Sequence, residues 1–514
     1  MSDRRKELKL AYKLTPPPMG VYRFKNNKTG KFLIGSSMNL TGRINSFRPN
    51  WKRNGLINYS LTVITAITSK KERPQLMKTN HLPDTSENLP AHGQDIFNYL
   101  AGAYASNHQL NLVLTFNTHL QENLLARAVR ITLDLAPILS CRFVEHPVSS
   151  YFKHRDDLST LDLCSICETE TPEEKLREYI ALELDSQYDP MVQVIILRSP
   201  EHDVLCIKMD HTASDAGGLK EYAYLLAEVY SQLLCTTPSD TITPVNRERD
   251  CSQIFKHFGI DNPLQAWDPS QLPPPQYPWA FPSIDHHNRH PAFITNRLSA
   301  KQFLSLQAYA KSYGATINDI LLTAFYRALF KLTRTLEGEP RPISVSVDLR
   351  RHLPKNSTHV IANLSSSFTT LISSMNKESF SSTLTRVAQS TTELKQTNAV
   401  IPLAIFFELL GNWKFTEAQA WFNAVRRLTI DANSSTPIFS NIGVINPVSF
   451  GEHTATAGYV VTPAIFAPGF MLGASTYKQE LTLVANVFTS DIALTFVQEF
   501  LSSMMTDLKT VILT

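Results

Sequence analysis

Two rhythms of apolar and polar positions alternate along this chain. Residues 123–139, NLLARAVRITLDLAPIL, place apolar side chains at helical spacing behind polar residues suited to capping, which predicts a helix. MVQVIILR and DVLCIKMD, at 191–198 and 203–210, are short β-branched runs separated by Ser-Pro-Glu-His and predict a hairpin. From 217 the rhythm returns to the helical period. In GGLKEYAYLLAEVYSQLL, the residues Leu219, Tyr222, Leu225, Leu226, Val229, Tyr230, Leu233 and Leu234 trace one face. The stretch around 210–217 is therefore strand, tight loop, helix.

The same alternation recurs later. Thr316 and Asp319 have the spacing of a capping box at the head of INDILLTAFYRALFKLT, and PISVSVDLR predicts a strand. LTLVANVF and IALTF are expected as strands ahead of the amphipathic helix VQEFLSSMMTDLKTVI. Proline and polar residues punctuate these elements. RPQLMKTNHLPDTSENLPAHGQ predicts a linker over 76–94, and eight prolines between Asn262 and Pro291 predict a crossover over 263–291 that forms neither helix nor central strand. The expected divisions are thus 1–75, a linker at 76–94, a first half at 95–262, the crossover at 263–291 and a second half at 292–514. Both halves mix helix and strand, so the fold class is α+β.

Composition adds limits. With 514 residues, 43% hydrophobic positions and a formal charge of +3, the chain can bury large cores in two or three folded units. The small net charge hides an asymmetry, because residues 1–75 hold 16 lysines or arginines against 3 acids. Such a module implies either contact with nucleic-acid phosphates or a merely solvated basic arm. Six cysteines in so long a chain do not make a disulfide framework, and Cys164 and Cys167 form one CxxC without the second pair a zinc site needs. His286, His287 and His290 cluster in the proline-rich crossover without a carboxylate at matching spacing, and no metal is expected. The N-terminus lacks an apolar core of signal-peptide length, and no stretch reaches about 18 apolar residues. A cytoplasmic protein without a membrane span is expected.

The residues that carry chemistry are Met209-Asp210-His211-Thr212-Ala213-Ser214-Asp215-Ala216-Gly217-Gly218. At neutral pH much of an unperturbed imidazole is neutral and able to take a proton from a hydroxyl, amine or thiol, which suits His211 to a general base. Asp215, followed by glycines that permit a tight turn, can hold the loop or pair with a basic residue from the other half. The segment DHTASDAGG resembles the HHxxxDG motif of the superfamily of condensation domains, wax ester synthases and alcohol acetyltransferases. ATINDILLTAFYRALF, SVDLRRHLP followed by IANLSS, and FSNIGVI are similar to features of the same proteins, so the resemblance spans roughly 90–514.

The resemblance implies two chloramphenicol-acetyltransferase-like halves around a central tunnel, entered by an acyl thioester from one side and an acceptor from the other. It implies His211 as base and Asp215 as the carboxylate holding the loop, with Arg350, or else Arg351, as its partner. Ser440 and Asn441 would line the tunnel. The donor would be acyl-CoA or a phosphopantetheinyl carrier protein, the acceptor a small alcohol or amine, and no cofactor would be bound beyond the donor's own arm. Two positions depart from the pattern: Asp210 stands at the first His, and Ala216 precedes Gly217 and Gly218 where the family has Gly directly after its Asp.

Residues 19–65 resemble the start of a GIY-YIG endonuclease domain, through Gly20-Val21-Tyr22, Leu33-Ile34-Gly35 and Arg43. Leu33 replaces the second tyrosine, Phe47 a frequent histidine, and no glutamate is assignable as metal ligand. Without that carboxylate, metal-assisted phosphodiester cleavage is not expected, which leaves weak nucleic-acid contact through Tyr22, Arg43 and the basic residues. Three functions follow for the chain: acyl transfer, a noncatalytic condensation-like scaffold, or nucleic-acid binding.

Overall fold

A computed structural model describes residues 19–26, 32–37, 59–67 and 88–513, except 236–241, 244, 269–278, 282–289, 490 and 491. The chain divides into two compact units, Met1–His81 and Leu82–Thr514. In the first, strands β1 (Met19–Asn26), β2 (Phe32–Ser37) and β3 (Tyr59–Ile67) form an antiparallel sheet in the order β2-β1-β3. Tyr22 lies in β1 opposite Gly35 of β2, and Arg43 falls outside the described residues.

The second unit begins with β4 (Asn88–Pro90) and helix α1 (Gly93–Tyr104), so the expected linker at 76–94 already contains structure at its end. Strand β4 pairs only three residues, Asn88, Leu89 and Pro90, with Lys153, Phe152 and Tyr151. There follow β5 (Gln109–Phe116), α2 (Glu122–Leu135), β6 (Cys141–Val144), β7 (Tyr151–His154), β8 (Cys164–Glu168), α3 (Pro172–Ala181), β9 (Val192–Arg198), β10 (Asp203–Asp210) and α4 (Ala216–Leu234). The predicted hairpin is the antiparallel β9–β10 pair. After α5 (Ser252–His257) come β11 (Pro291–Leu298), α6 (Ala300–Ser312), α7 (Ile317–Leu332), β12 (Pro340–Asp348), β13 (Ser365–Ser373), α8 (Phe380–Gln396), α9 (Ile401–Gly411) and α10 (Phe415–Ala432). The chain continues through β14 (Ile438–Ile445), the short β15 (Ser449–Phe450) and β16 (His453–Thr454), β17 (Ala457–Val461), β18 (Met471–Tyr477), β19 (Glu480–Phe488) and α11 (Leu494–Leu513).

Two mixed sheets organise this unit, one ordered β17-β5-β10-β9-β8 and one ordered β11-β19-β18-β14-β12-β13. Strand β17 comes from the second half of the sequence but pairs antiparallel with β5, so the two halves share a sheet. Strand β10 lies at the centre of the first sheet, and all eight of its residues are buried, which is why it reads as an almost unbroken apolar run. Leu205, Ile207 and Met209 pack with α2 and α4, whereas Val204 and Cys206 share the opposite core with Phe293 and Val484 of the second sheet. Helix α4 buries Leu219, Tyr222, Leu225, Leu226, Val229 and Tyr230, each stabilising by about 1.5–3 kcal/mol, while Leu234 is exposed.

The Thr316–Asp319 capping box forms as expected. IALTF does not form a strand: only Ile492 makes an isolated bridge-like contact, and α11 begins at Leu494. Phe496, Val497, Phe500, Leu501, Met504, Met505 and Leu508 are buried at helical spacing, and that longer pattern absorbs the short alternating run. Of the proline-rich crossover, Trp279 and Phe281 are buried, with the Trp279 indole donating to the Pro342 carbonyl at 2.6 Å, while His286 and His287 lie outside the described residues. Cys164 and Cys167 are three apart in a strand and so face opposite cores. Among the described residues no helix is long and apolar enough to cross a membrane, and no group of three or more His, Cys, Asp or Glu could hold a metal.

Candidate active site

His211 is the first residue beyond β10, on a turn closed by the Ala213 N–H donating to the Asp210 carbonyl at 3.1 Å. The turn is fastened from both ends. Before it, Asp210 is buried, its Oδ1 accepting the Thr212 N–H at 2.7 Å and its Oδ2 the Ser186 hydroxyl at 2.5 Å. Burial pushes the Asp210 carboxyl above the usual carboxylate range. After the turn, Asp215 caps α4 by accepting the Gly218 N–H at 3.0 Å and binds the Leu364 N–H at 2.8 Å. Its carboxylate meets the Arg350 guanidinium at 2.8 Å.

Arg350 also donates to the carbonyls of Val360 and Ala362, at 3.1 and 2.5 Å, and contacts Asp348 at 3.2 Å. The Ala362 carbonyl additionally accepts from Ser214 Oγ at 3.0 Å. A glycine pair is needed here for close approach. A Cβ on Gly217 would lie 2.5 Å from Arg350 Nη1, and one on Gly218 would lie 1.9 Å from Ser214 Oγ. Ala216, ahead of them, opens the helix without disturbing that contact. Arg351 is exposed and donates to the Asp348 carbonyl at 3.0 Å.

Among the described residues the imidazole has one hydrogen-bond partner. His211 Nδ1 stands 3.3 Å from Asn363 Oδ1, and both Asn363 amide hydrogens are used elsewhere, on Asp95 at 2.9 Å and on the Thr212 carbonyl at 3.0 Å. The oxygen of Asn363 therefore faces His211 and accepts from Nδ1–H, leaving the Nε2 lone pair free; Nε2 has no protein partner among the described residues. Burial pushes the His211 pKa below the usual imidazole value and so favours the neutral ring, with Asp215 opposing that shift. Arg249 ties the arrangement together, donating to Ala213 and Ile361 carbonyls at 2.9 and 2.8 Å and to Asp95 at 3.0 Å.

Ser440 and Asn441 lie in β14 and are half-buried. Asn441 Nδ2 is 3.4 Å from Asn318 Oδ1, and its own oxygen accepts the Gly443 N–H at 3.0 Å; neither Ser440 nor Asn441 is hydrogen-bonded to His211. The structure thus brings Asp210, His211, Asp215, Gly217, Gly218 and Arg350 into one site. It adds Asp95, Arg249 and Asn363, which no spacing in the sequence indicated, although Asn363 lies within the IANLSS stretch.

No protein-family model matches the sequence, and no curated protein matches it significantly. Solved structures do. Polyketide synthase associated protein 5 from Mycobacterium tuberculosis superposes with a TM-score of 0.59 at 14% identity, covering 83% of this chain and 99% of that one. TRI3 trichothecene 15-O-acetyltransferase from Fusarium sporotrichioides gives 0.60 at 12% identity, covering 82% and 95%. The first condensation domain of the CDA synthetase gives 0.59 at 14% identity, covering 82% and 97%. The fold is therefore the one shared by condensation domains and acyltransferases of this kind. At such identities the likeness establishes the fold, and the chemistry rests on the site.

Proposed function

We propose that this chain is an acyltransferase that moves an acyl group from a thioester, carried by coenzyme A or by a phosphopantetheinyl carrier protein, to a hydroxyl or amine acceptor. The observation that carries the reading is the state of His211. Its Nδ1 is occupied by Asn363, its Nε2 is free, and burial favours the neutral ring, which is the condition of a general base.

In the reaction, Nε2 takes the acceptor's proton as the acceptor oxygen or nitrogen bonds to the thioester carbonyl carbon. The tetrahedral oxyanion then collapses with cleavage of the carbon–sulfur bond, and the departing thiolate recovers the proton from Nε2. No covalent acyl-enzyme is needed. Holding the two substrates at one base supplies the orientation on which such a step depends. Asp215 and Arg350 keep the loop in place and exchange no proton with substrate. Donor and acceptor enter from opposite ends of a tunnel between the halves, with Ser440 and Asn441 on its wall. The nucleic-acid reading of residues 1–75 rests on their charge and on the resemblance through Tyr22 and Arg43.

The test is thiol release from acyl-CoAs of graded chain length with pooled alcohols and amines, comparing the native protein with His211→Ala. Acceptor-dependent release that falls at least 100-fold in the variant supports the reading. If the native protein is silent with acyl-CoAs and with acyl carrier proteins, the noncatalytic scaffold takes its place.

A further inference from the structure

His108 is the residue before β5, and the β5–β10 register, which pairs Gln109 with Asp210, sets it opposite His211. Its carbonyl accepts the His211 N–H at 3.1 Å, and the two imidazoles stack with centroids 4.5 Å apart and planes 27° apart. The backbone of His108 is left-handed, with φ of 41°, a conformation few side chains adopt readily. Both ring nitrogens are engaged, Nδ1 with Ser106 Oγ at 2.6 Å and Nε2 with Asn98 Oδ1 at 3.0 Å. Because Asn98 Oδ1 can only accept, Nε2 carries the proton and Nδ1 accepts from the Ser106 hydroxyl, so neither nitrogen is available to a substrate.

We infer that His108 is a positioning residue for His211: its ring, gripped by Asn98 and Ser106, fixes the plane in which His211 offers Nε2 to the acceptor. The anchoring closes on itself through one helix. Asn98 of α1 holds His108, which covers a face of His211. Asp95 of α1, one helical turn earlier, holds Asn363, which binds His211 Nδ1. One face of α1 therefore fixes the imidazole both in plane and in tautomer.

The charges around His211 are Asp210 and Asp215 on its own loop, Arg350 paired to Asp215, and the Asp95–Arg249 pair behind Asn363. Just ahead of β5, His108 also faces it, and burial and the neighbouring His211 hold His108 well below the usual imidazole range. When His211 takes a proton, its stacked partner thus stays neutral and adds no second positive charge.

The kinetic arm of the test rests on the acyl-transfer reading, and the spectroscopic arm does not. His108→Asn keeps a residue tolerant of positive φ and the carbonyl that binds His211, but removes the ring. His108→Phe keeps a ring without nitrogens. The expected result for His108→Asn is a roughly 10- to 100-fold loss of kcat with donor KM nearly unchanged. The acid limb of its pH profile should move up toward about 6.5, because water replaces the covering ring. His108→Phe should lose less and move the limb less. Ring-15N histidine spectra of the resting protein should show His211 as a single Nδ1–H tautomer in the native chain, and averaged tautomers with a raised titration midpoint in His108→Asn. An unshifted acid limb with unchanged His211 signals overturns the inference, including when the variant is merely less stable. Altered His211 signals in a native protein without turnover would uphold the positioning role and remove the acyl-transfer reading.

Discussion

The turn that enters His211 and the turn that leaves it are each fastened by a buried aspartate, and the two work in opposite ways. Asp210 is satisfied by neutral donors within its own half, Ser186 and the Thr212 N–H. Asp215 is satisfied by an arginine and a backbone N–H from the segment 350–364, more than 130 residues away in sequence. The first makes a local turn; the second locks that turn to the other half of the unit. Position 210 needs an acceptor for the Thr212 N–H, and the aspartate supplies it.

Three substitutions would break or sharpen this contrast. The largest effect belongs to Asp215→Ala, which strands the Arg350 guanidinium and should cost about 3–5 kcal/mol, measured as a fall in thermal or urea unfolding midpoint. Gly218→Ala comes next, because its methyl group would overlap Ser214 Oγ, and about 1–3 kcal/mol is expected. Combining it with Ser214→Gly should recover part of that loss, and failure to recover would mean that the backbone, not the hydroxyl, sets the limit.

Asp210→Asn should have the smallest effect, within about 1 kcal/mol at pH 7, because an amide oxygen still accepts from Thr212. Its sign follows from the raised carboxyl. A group whose folded pKa lies above its unfolded value stabilises most at low pH and loses that contribution as pH rises through the folded pKa. The variant should therefore compare most favourably with the native protein at pH 7 and lose that advantage toward pH 4. Unfolding midpoints measured across that range would show it, and an advantage that grows on acidification would contradict the assignment.

Much of the site's frame was legible because it is local. The β-branched run in 203–210 and the helical face from Leu219 onward gave strand, loop and helix around His211, and the double glycine marked the tight approach. Where a short pattern competed with a longer one, the longer prevailed, as IALTF shows by opening α11. Ser440 and Asn441 were singled out by resemblance alone, and the Asn441 side chain bonds to Asn318 and the Gly443 N–H rather than to the imidazole.

The partners of His211 were not legible. Asn363 has no periodicity to mark it, His108 stands alone before a strand, and Arg249 sits in an irregular segment. Each becomes part of the site only through pairings distant in sequence: the β5–β10 register for His108, the Arg350–Asp215 lock for Asn363, and the Asp95 carboxylate for Arg249.

By itself, then, the sequence determined where strand, loop and helix fall and which imidazole stands at their junction, because spacing and turn chemistry act over a few residues. The tertiary structure decided which tautomer that imidazole holds and what covers its face, and it carried β17 into the other half's sheet. Those outcomes depend on hydrogen bonds and strand pairings between segments 152 to 357 residues apart, which no local pattern encodes.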